Sequence, residues 1–269
     1  MSEHTPIALT IAGSDSGGGA GIQADLKAMS ANGTYGASVI TVVTAQNTTA
    51  VTAVHEIPAD IVVAQIDAVL SDLDVGAIKL GMLFSAPIIK ATAQRLRQFT
   101  GPIVVDPVMI AKSGDALLQD VAVEALIQHV LPIAHLLTPN LPEAARLLGE
   151  AEAKNQVEMA VQGQRLIQMG ASAVLMKGGH ANGSTCTDVL VDASGVIATF
   201  DAPRIETRNT HGTGCTYSAT IAAQLAQGRD LIDAVGIAHA YLQNAIQAAD
   251  HLRIGRGHGP VHHFHEQWS

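Results

Sequence analysis

Aromatic side chains are scarce in this 269-residue sequence, 3% of it, although 48% of the residues are hydrophobic. A core must therefore be built from Ala, Val, Leu and Ile, which suits a parallel sheet covered by helices. Cysteine is nearly absent as well. Two residues, Cys186 and Cys215, make no disulfide framework, and a reducing, cytoplasmic setting is expected. Positive charge is the minority sign: 15 Lys and Arg stand against 24 Asp and Glu, for a net charge of -9. With no basic run, the chain is not expected to bind nucleic acid or an anionic membrane surface. Long apolar runs are also missing. The most apolar stretch, Val121 to Leu137, is interrupted by Glu124, Gln128, His129, Pro132 and His135, so it falls short of the ~20 apolar residues of a membrane span. Met1 to Pro6 lacks a basic segment and Ile7 to Ala12 is short, so no signal peptide is expected.

What is present is alternation. Pro6–Ala12, Gly36–Val43, Ala77–Leu80, Pro102–Val105, Ala134–Leu137 and Ala173–Met176 read as strands. Between and after them, Ala20–Asn32, Ala59–Ser71, Pro87–Phe99, Ala116–His129, Leu141–Leu148, Val157–Met169, Thr213–Ala226 and Leu231–Asp250 read as helices. Cys186–Val191 and Val196–Phe200 predict a hairpin turned at Ala193-Ser194-Gly195. Strands alternating with helices imply βαβ units and a mostly parallel sheet in one domain spanning residues 1–269.

In an open parallel sheet, ligands bind beyond the carboxyl ends of the strands. Small or polar residues recur at those ends: Gly13-Ser14-Asp15, Gln46-Asn47, Gly81-Met82, Asp106-Pro107, Thr138-Pro139-Asn140 and Lys177-Gly178-Gly179. Two glycine loops precede helices, Ser16-Gly17-Gly18-Gly19-Ala20-Gly21 and His211-Gly212-Thr213-Gly214-Cys215. Neither is a Walker A loop or a dinucleotide fingerprint, which argues against a P-loop enzyme and a nicotinamide-dependent oxidoreductase. The second is the better anion site, because the amides of Thr213, Gly214 and Cys215 sit where a helix should begin. The alternative is a plain glycine turn.

These motifs carry a resemblance. Gly13-Ser14-Asp15 with Gly18-Gly19-Ala20-Gly21-Ile22-Gln23-Ala24-Asp25, then Thr138-Pro139-Asn140-Leu141-Pro142-Glu143-Ala144, Lys177-Gly178-Gly179-His180, Thr210-His211-Gly212-Thr213-Gly214-Cys215 and Gly259-Pro260-Val261-His262-His263-Phe264 occur in order along nearly the whole chain. Together they resemble the hydroxymethylpyrimidine/phosphomethylpyrimidine kinases, of the ribokinase-like fold, a three-layer α/β/α domain. The resemblance implies ATP-dependent phosphorylation of 4-amino-5-hydroxymethyl-2-methylpyrimidine, then of its monophosphate, for thiamin assembly. It also implies Mg²⁺ as cofactor and a homodimer. Pyridoxal kinase on the same fold and a non-catalytic ligand-binding regulator are the alternatives.

Roles follow from the resemblance and from residue chemistry. Cys215 is the expected general base, at a helix start that should lower its pKa; the wider superfamily has Asp there, and an inert buried thiol is the alternative. Gly212, Thr213 and Gly214 should cradle the transferring phosphate. Lys177 should reach the ATP phosphates, with Asn140 and Thr210 beside them. Asn140 should also cap its helix. Asp106 and Glu143 are candidates for Mg²⁺, directly or through waters; an Asp-Pro turn and a first-turn helix acid are the plain alternatives. On the substrate side, the Gln46 amide can accept from an exocyclic amine and donate to the adjacent ring nitrogen. Asp25 and Val108 match family positions around the pyrimidine, with a helix-surface acid and a strand-end apolar residue as the plain alternatives; Met82 is expected to pack on the ring face, with a core Met as the alternative, and Gly13 is a further substrate-binding candidate. The loops around Gln46 and Lys112-Ser113-Gly114 are the candidates for closure over the site. The C-terminal histidines, His258, His262, His263 and His265, fit no standard zinc spacing and read as a packed tail.

Overall fold

A computed structural model describes residues 5–109, 119–180 and 183–268. Its elements are β1 (Ile7–Ala12), α1 (Gly21–Ala31), β2 (Tyr35–Ile40), β3 (Val42–Gln46), β4 (Val51–Glu56), α2 (Ala59–Leu70), β5 (Ala77–Leu80), α3 (Ala86–Leu96), β6 (Ile103–Val105), α4 (Asp120–Ala125), β7 (Leu136–Leu137), α5 (Leu141–Leu148), α6 (Gln156–Gln168), β8 (Ala173–Met176), β9 (Thr185–Asp192), β10 (Gly195–Pro203), α7 (Thr213–Ala226) and α8 (Leu231–Gln247). The start of the helix expected at Ala116–His129, and the loop at Lys112-Ser113-Gly114, lie outside the described residues; α4 continues as a π-helical turn, Leu126–Val130.

Eight strands form one sheet in the order β10-β9-β8-β7-β6-β5-β1-β2. The run from β2 to β8 is parallel, and β9 and β10 close it antiparallel as the expected hairpin. Strand residues alternate between two cores, as a pleated strand requires. Leu9, Ile11, Ile78, Leu80, Ile103, Val105, Val174 and Met176 face one core, shared with buried residues of α2 to α6. Ala77, Val104, Leu136, Ala173 and Leu175 face the other, under α7 and α8. Ala8 and Met29 join it to α1. The fold is thus helices on both faces of a mostly parallel sheet. The small residues on the α7 side admit close approach: α7 is buried without a break from Thr216 to Leu225.

One expected strand is corrected. Gly36–Val43 is not a single strand: the chain leaves the main sheet after Ile40 and Val42–Gln46 pairs with β4 in a separate two-stranded sheet. Thr41 is the corner, its N–H donating to Ala12 O and its hydroxyl to Met82 O. Periodicity cannot see this corner, because β-branched residues run straight through it.

On the α7 side, two strand positions break the apolar rule. Thr10 of β1 and Lys79 of β5 are fully buried and meet Asp25 of α1, also fully buried. Lys79 Nζ lies 3.0 and 2.8 Å from the two Asp25 oxygens, and Thr10 Oγ1 donates to Asp25 Oδ2 at 2.6 Å. Burial opposes the Lys79 charge, but Asp25 outweighs it and holds the ammonium protonated. Removing one partner leaves an uncompensated buried charge. Asp25→Ala should therefore lower unfolding free energy by about 3–5 kcal/mol in urea titrations, with Asp25→Leu plus Lys79→Met recovering most of it; an Asp25→Ala loss under about 1 kcal/mol would show that the pair does not carry this part of the core.

Candidate active site

A cavity of about 470 Å³ opens beyond the carboxyl ends of β1, β5, β6, β7 and β8. It brings together Gly13, Gln46, Met82, Asp106, Val108, Asn140, Glu143, Lys177, Thr210, Gly212, Thr213, Gly214 and Cys215. Of the residues expected at the site, Asp25 alone is not among the lining residues. It sits beneath the floor, and Lys79, which it anchors, lines the cavity instead. Asp25 is thus placed beneath the floor, bonded to Lys79 and Thr10, and does not itself line the cavity.

The wall at α7 is built by glycine. Gly212, the N-cap, has φ +81°, and a Cβ there would lie 1.9 Å from Gly19 O. Only glycine lets the two glycine loops touch. The loop is held from behind by the C-terminal tail: His211 N–H donates to Gly259 O, and Val261 N–H donates to His211 O. His262 and His263 are buried in that tail, with His263 Nε2 3.0 Å from Thr216 Oγ1.

Across the cavity, Lys177 Nζ lies 2.9 Å from Asp106 Oδ1. Burial works against the Lys177 charge; Asp106 and Glu143 overcome it and raise its pKa. Asn140 caps α5 as expected, in a reciprocal box: its Oδ1 accepts from Glu143 N–H at 2.9 Å and Glu143 Oε2 accepts from Asn140 N–H at 2.8 Å. Burial pushes the Glu143 carboxyl up to about 7, with Lys177 opposing and the Asp106 charge adding to the rise. A built Cβ on Gly214 would lie 3.3 Å from Asp106 Oδ2 and 3.5 Å from Lys177 Nζ, so the helix start faces this charged cluster.

Cys215 sits at that helix start, yet its thiol is not activated. Burial pushes it up to about 11, helped by the Asp25 and Asp106 charges, against the pull of Lys79 and the Gly21 amide. The expected lowering is therefore corrected: desolvation exceeds the helix-end effect.

Sequence reasoning passed over several lining residues. Asp15 Oδ1 accepts from Gly17 N–H, and Oδ2 accepts from Gly19 and Ala20 N–H and lies 2.8 Å from His211 Nε2. Thr44, buried, joins the two-stranded sheet to this loop by donating to Ser14 O. Phe84 lines the cavity at φ +69°, the one non-glycine residue with positive φ among the described residues. A visible signal existed for Lys79: a lysine inside the apolar strand Ala77–Leu80 must be paired if that strand is buried on both faces.

Comparison with known proteins places this geometry. The phosphomethylpyrimidine kinase family model matches residues 15–262. A hydroxymethylpyrimidine/phosphomethylpyrimidine kinase of Rhizobium meliloti (strain 1021) is 60% identical over 98% of this chain and 99% of its own. The thiamine biosynthesis bifunctional protein ThiED of Geobacter sulfurreducens is 49% identical over 95% of this chain and 51% of its own. Among solved structures, a Bacillus subtilis pyridoxal kinase in complex with ADP superposes with a TM-score of 0.90, at 33% identity, covering 99% of this chain and 100% of its own.

A thiol with a pKa near 11 carries about a hundredfold less thiolate at neutral pH than an ordinary cysteine. At pH 7.5, Cys215 of the ligand-free protein should be alkylated by iodoacetamide far more slowly than a small free thiol, as read by peptide mass spectrometry. Equal rates would show that the helix start, not burial, governs this sulfur.

Proposed function

The chain belongs to the phosphomethylpyrimidine kinase family, and on that premise we propose that it transfers phosphate from ATP to 4-amino-5-hydroxymethyl-2-methylpyrimidine and then to the resulting monophosphate, in thiamin biosynthesis. The observation that carries this reading is that the α7 helix start, Lys177 and the Gln46 amide all line one cavity. Pyridoxal kinase is the second reading, favoured by the fold match at 33% identity but outweighed by 60% identity to a pyrimidine kinase.

The amides of Thr213 and Gly214 and the ammonium of Lys177 hold the transferring phosphate, where developing charge gains most from preset donors. Gly212 lets the loop approach, and Thr210 and Asn140 flank the nucleotide. Gln46 reads the amine and adjacent nitrogen of the pyrimidine, with Gly13, Met82 and Val108 along the ring. Asp106 and Glu143 fit a magnesium ion held through its waters: both line the cavity, and the Asp106 charge raises the Glu143 pKa, a repulsion that a divalent cation relieves. Bound there, the ion would neutralise charge on the nucleotide phosphates. Cys215 faces the acceptor alcohol and, when ionised, is its base.

A cytoplasmic setting is supported by two free cysteines. Among the described residues no helix is long and apolar enough to cross a membrane. A homodimer is supported by the two-stranded sheet, whose Val43 and Val54 are 44% and 43% exposed; a lone hairpin is marginal in water and gains by pairing its face or edge.

With ATP and Mg²⁺, purified protein should yield the diphosphate from the pyrimidine alcohol and from its monophosphate, with pyridoxal poor, as read by product mass. Faster turnover of pyridoxal would transfer the assignment to the second reading. Lys177→Met should lower kcat by about 10²–10³-fold. If Cys215 is the base, the thiolate fraction, on the order of 10⁻⁴ at pH 7, rises tenfold per pH unit, so kcat should climb between pH 7 and 9 and Cys215→Ala should abolish that climb. A flat wild-type profile would leave Cys215 as a contact only.

A further inference from the structure

Gln46 is fixed by its backbone before its side chain is considered. Its N–H donates to Ser16 Oγ at 2.7 Å, and its carbonyl accepts from the same hydroxyl at 2.8 Å. The pairing of β3 with β4 slips between Ala45 and Gln46, the kind of irregularity that re-aims a side chain. With the main chain held, the side chain decides where the amide oxygen and nitrogen point.

The amide lies with its nitrogen 3.4 Å from His211 Nε2 and its oxygen 3.3 Å from Thr44 Oγ1, an order that a half-turn of the amide reverses. The two ends are alike in shape, so the proton inventory decides which is which. His211 Nε2 is also 2.8 Å from Asp15 Oδ2. That carboxylate accepts from three backbone amides, Gly17, Gly19 and Ala20. Burial opposes its ionisation, but His211 and the amides outweigh burial and hold it below the usual carboxylate range. An ionised carboxylate only accepts, so the proton resides on His211 Nε2 and points at Asp15; a protonated Nε2 has no lone pair to accept an amide N–H, so the amide end beside it must be oxygen, reversing the order above. At the other end, the single Thr44 hydroxyl proton goes to Ser14 O at 2.8 Å. Thr44 Oγ1 therefore turns lone pairs toward Gln46, and the amide end facing it must be nitrogen.

We propose that Asp15, His211 and Thr44 are positioning residues that lock the Gln46 amide with its oxygen toward His211 and its nitrogen toward Thr44, and that this fixed order selects 4-aminopyrimidine alcohols over their 4-oxo analogues. The proposal rests on the assignment of Gln46 to the pyrimidine edge. A 4-aminopyrimidine offers a donor amine beside an acceptor ring nitrogen. Its 4-oxo analogue offers an acceptor carbonyl beside a donor N–H, the same outline with the order reversed. A free amide would rotate and accept both. A locked amide meets the analogue with donor against donor and acceptor against acceptor, leaving polar groups unpaired between ring and protein, which sites reject strongly.

The test measures kcat and KM for 4-amino-5-hydroxymethyl-2-methylpyrimidine and for its 4-oxo analogue in the wild type and four variants. Thr44→Val removes the acceptor at one end while keeping the shape. His211→Phe removes the donor at the other. Each should reduce the amino-over-oxo ratio of kcat/KM by roughly tenfold, chiefly through KM. His211→Gln, which can still donate to Asp15, should keep most of the ratio. If Thr44→Val and His211→Phe lower kcat/KM for both pyrimidines in parallel and leave the ratio unchanged, their role is structural and the proposal is overturned. Gln46→Ala separates the premise from the proposal. An unchanged ratio and KM in Gln46→Ala would show that Gln46 does not read the ring edge at all. A ratio that collapses in Gln46→Ala, but not in Thr44→Val or His211→Phe, would keep the premise and remove only the locking.

Discussion

The carboxylate of Asp15 accepts from three backbone amides of one glycine loop and pairs with a histidine 196 residues further along the chain. Without an acceptor at that point, the amides of Gly17, Gly19 and Ala20 would have no partner in the protein, and the loop after β1 would have no reason to curl back on itself. Because it does curl, Gly19 O comes close enough to α7 that residue 212 must be glycine. Because His211 is held, the α7 helix start beside it is held too. The loop after β1 and the α7 helix start thus share one anchor. The C-terminal tail braces the same loop from outside through Gly259 and Val261.

A second theme is that each lysine lining the cavity is matched by a carboxylate. Lys79 is matched by Asp25 below the floor, and Lys177 by Asp106 on the wall. These pairs differ in kind. The first is sealed from solvent on both sides and defines which face of β5 meets α1. The second leaves the Lys177 side chain 13% exposed, open to the cavity, where a phosphate can compete for the ammonium. Buried pairing of this sort is weak evidence for net stability, but it strictly limits which alternative packings are tolerable.

How much of this was legible depended on whether the signal was local. The helices Leu141–Leu148 and Thr213–Ala226 and the strands Ala77–Leu80 and Ala173–Met176 have the bounds read from the sequence, because caps, glycines and apolar runs mark them locally. The rim of polar strand ends also maps onto the cavity. The two-stranded sheet was invisible, since Thr41 turns the chain by bonds to Ala12 and Met82, residues far away in sequence. The thiol pKa was misjudged for a related reason: the helix-end effect can be read locally, but desolvation is a property of the packed surroundings. Asp25 looked like a ligand contact because it lies in a matching motif. Its partner Lys79 occupies the cavity floor in its place, and only the register of β5 against β1 reveals that.

Phe84 holds a left-handed backbone conformation that side-chain-bearing residues adopt at a cost of order 1–3 kcal/mol. It does so while lining the cavity. Enlarging a binding site usually trades packing for space, so scope and robustness pull against each other. At this position they do not, because the smallest residue is also the one whose backbone is at ease there. An engineer, or natural drift, that exchanges the ring for a hydrogen gains room in the cavity and relaxes the main chain in one step. The shape of the cavity is, in that sense, open to revision at a single codon.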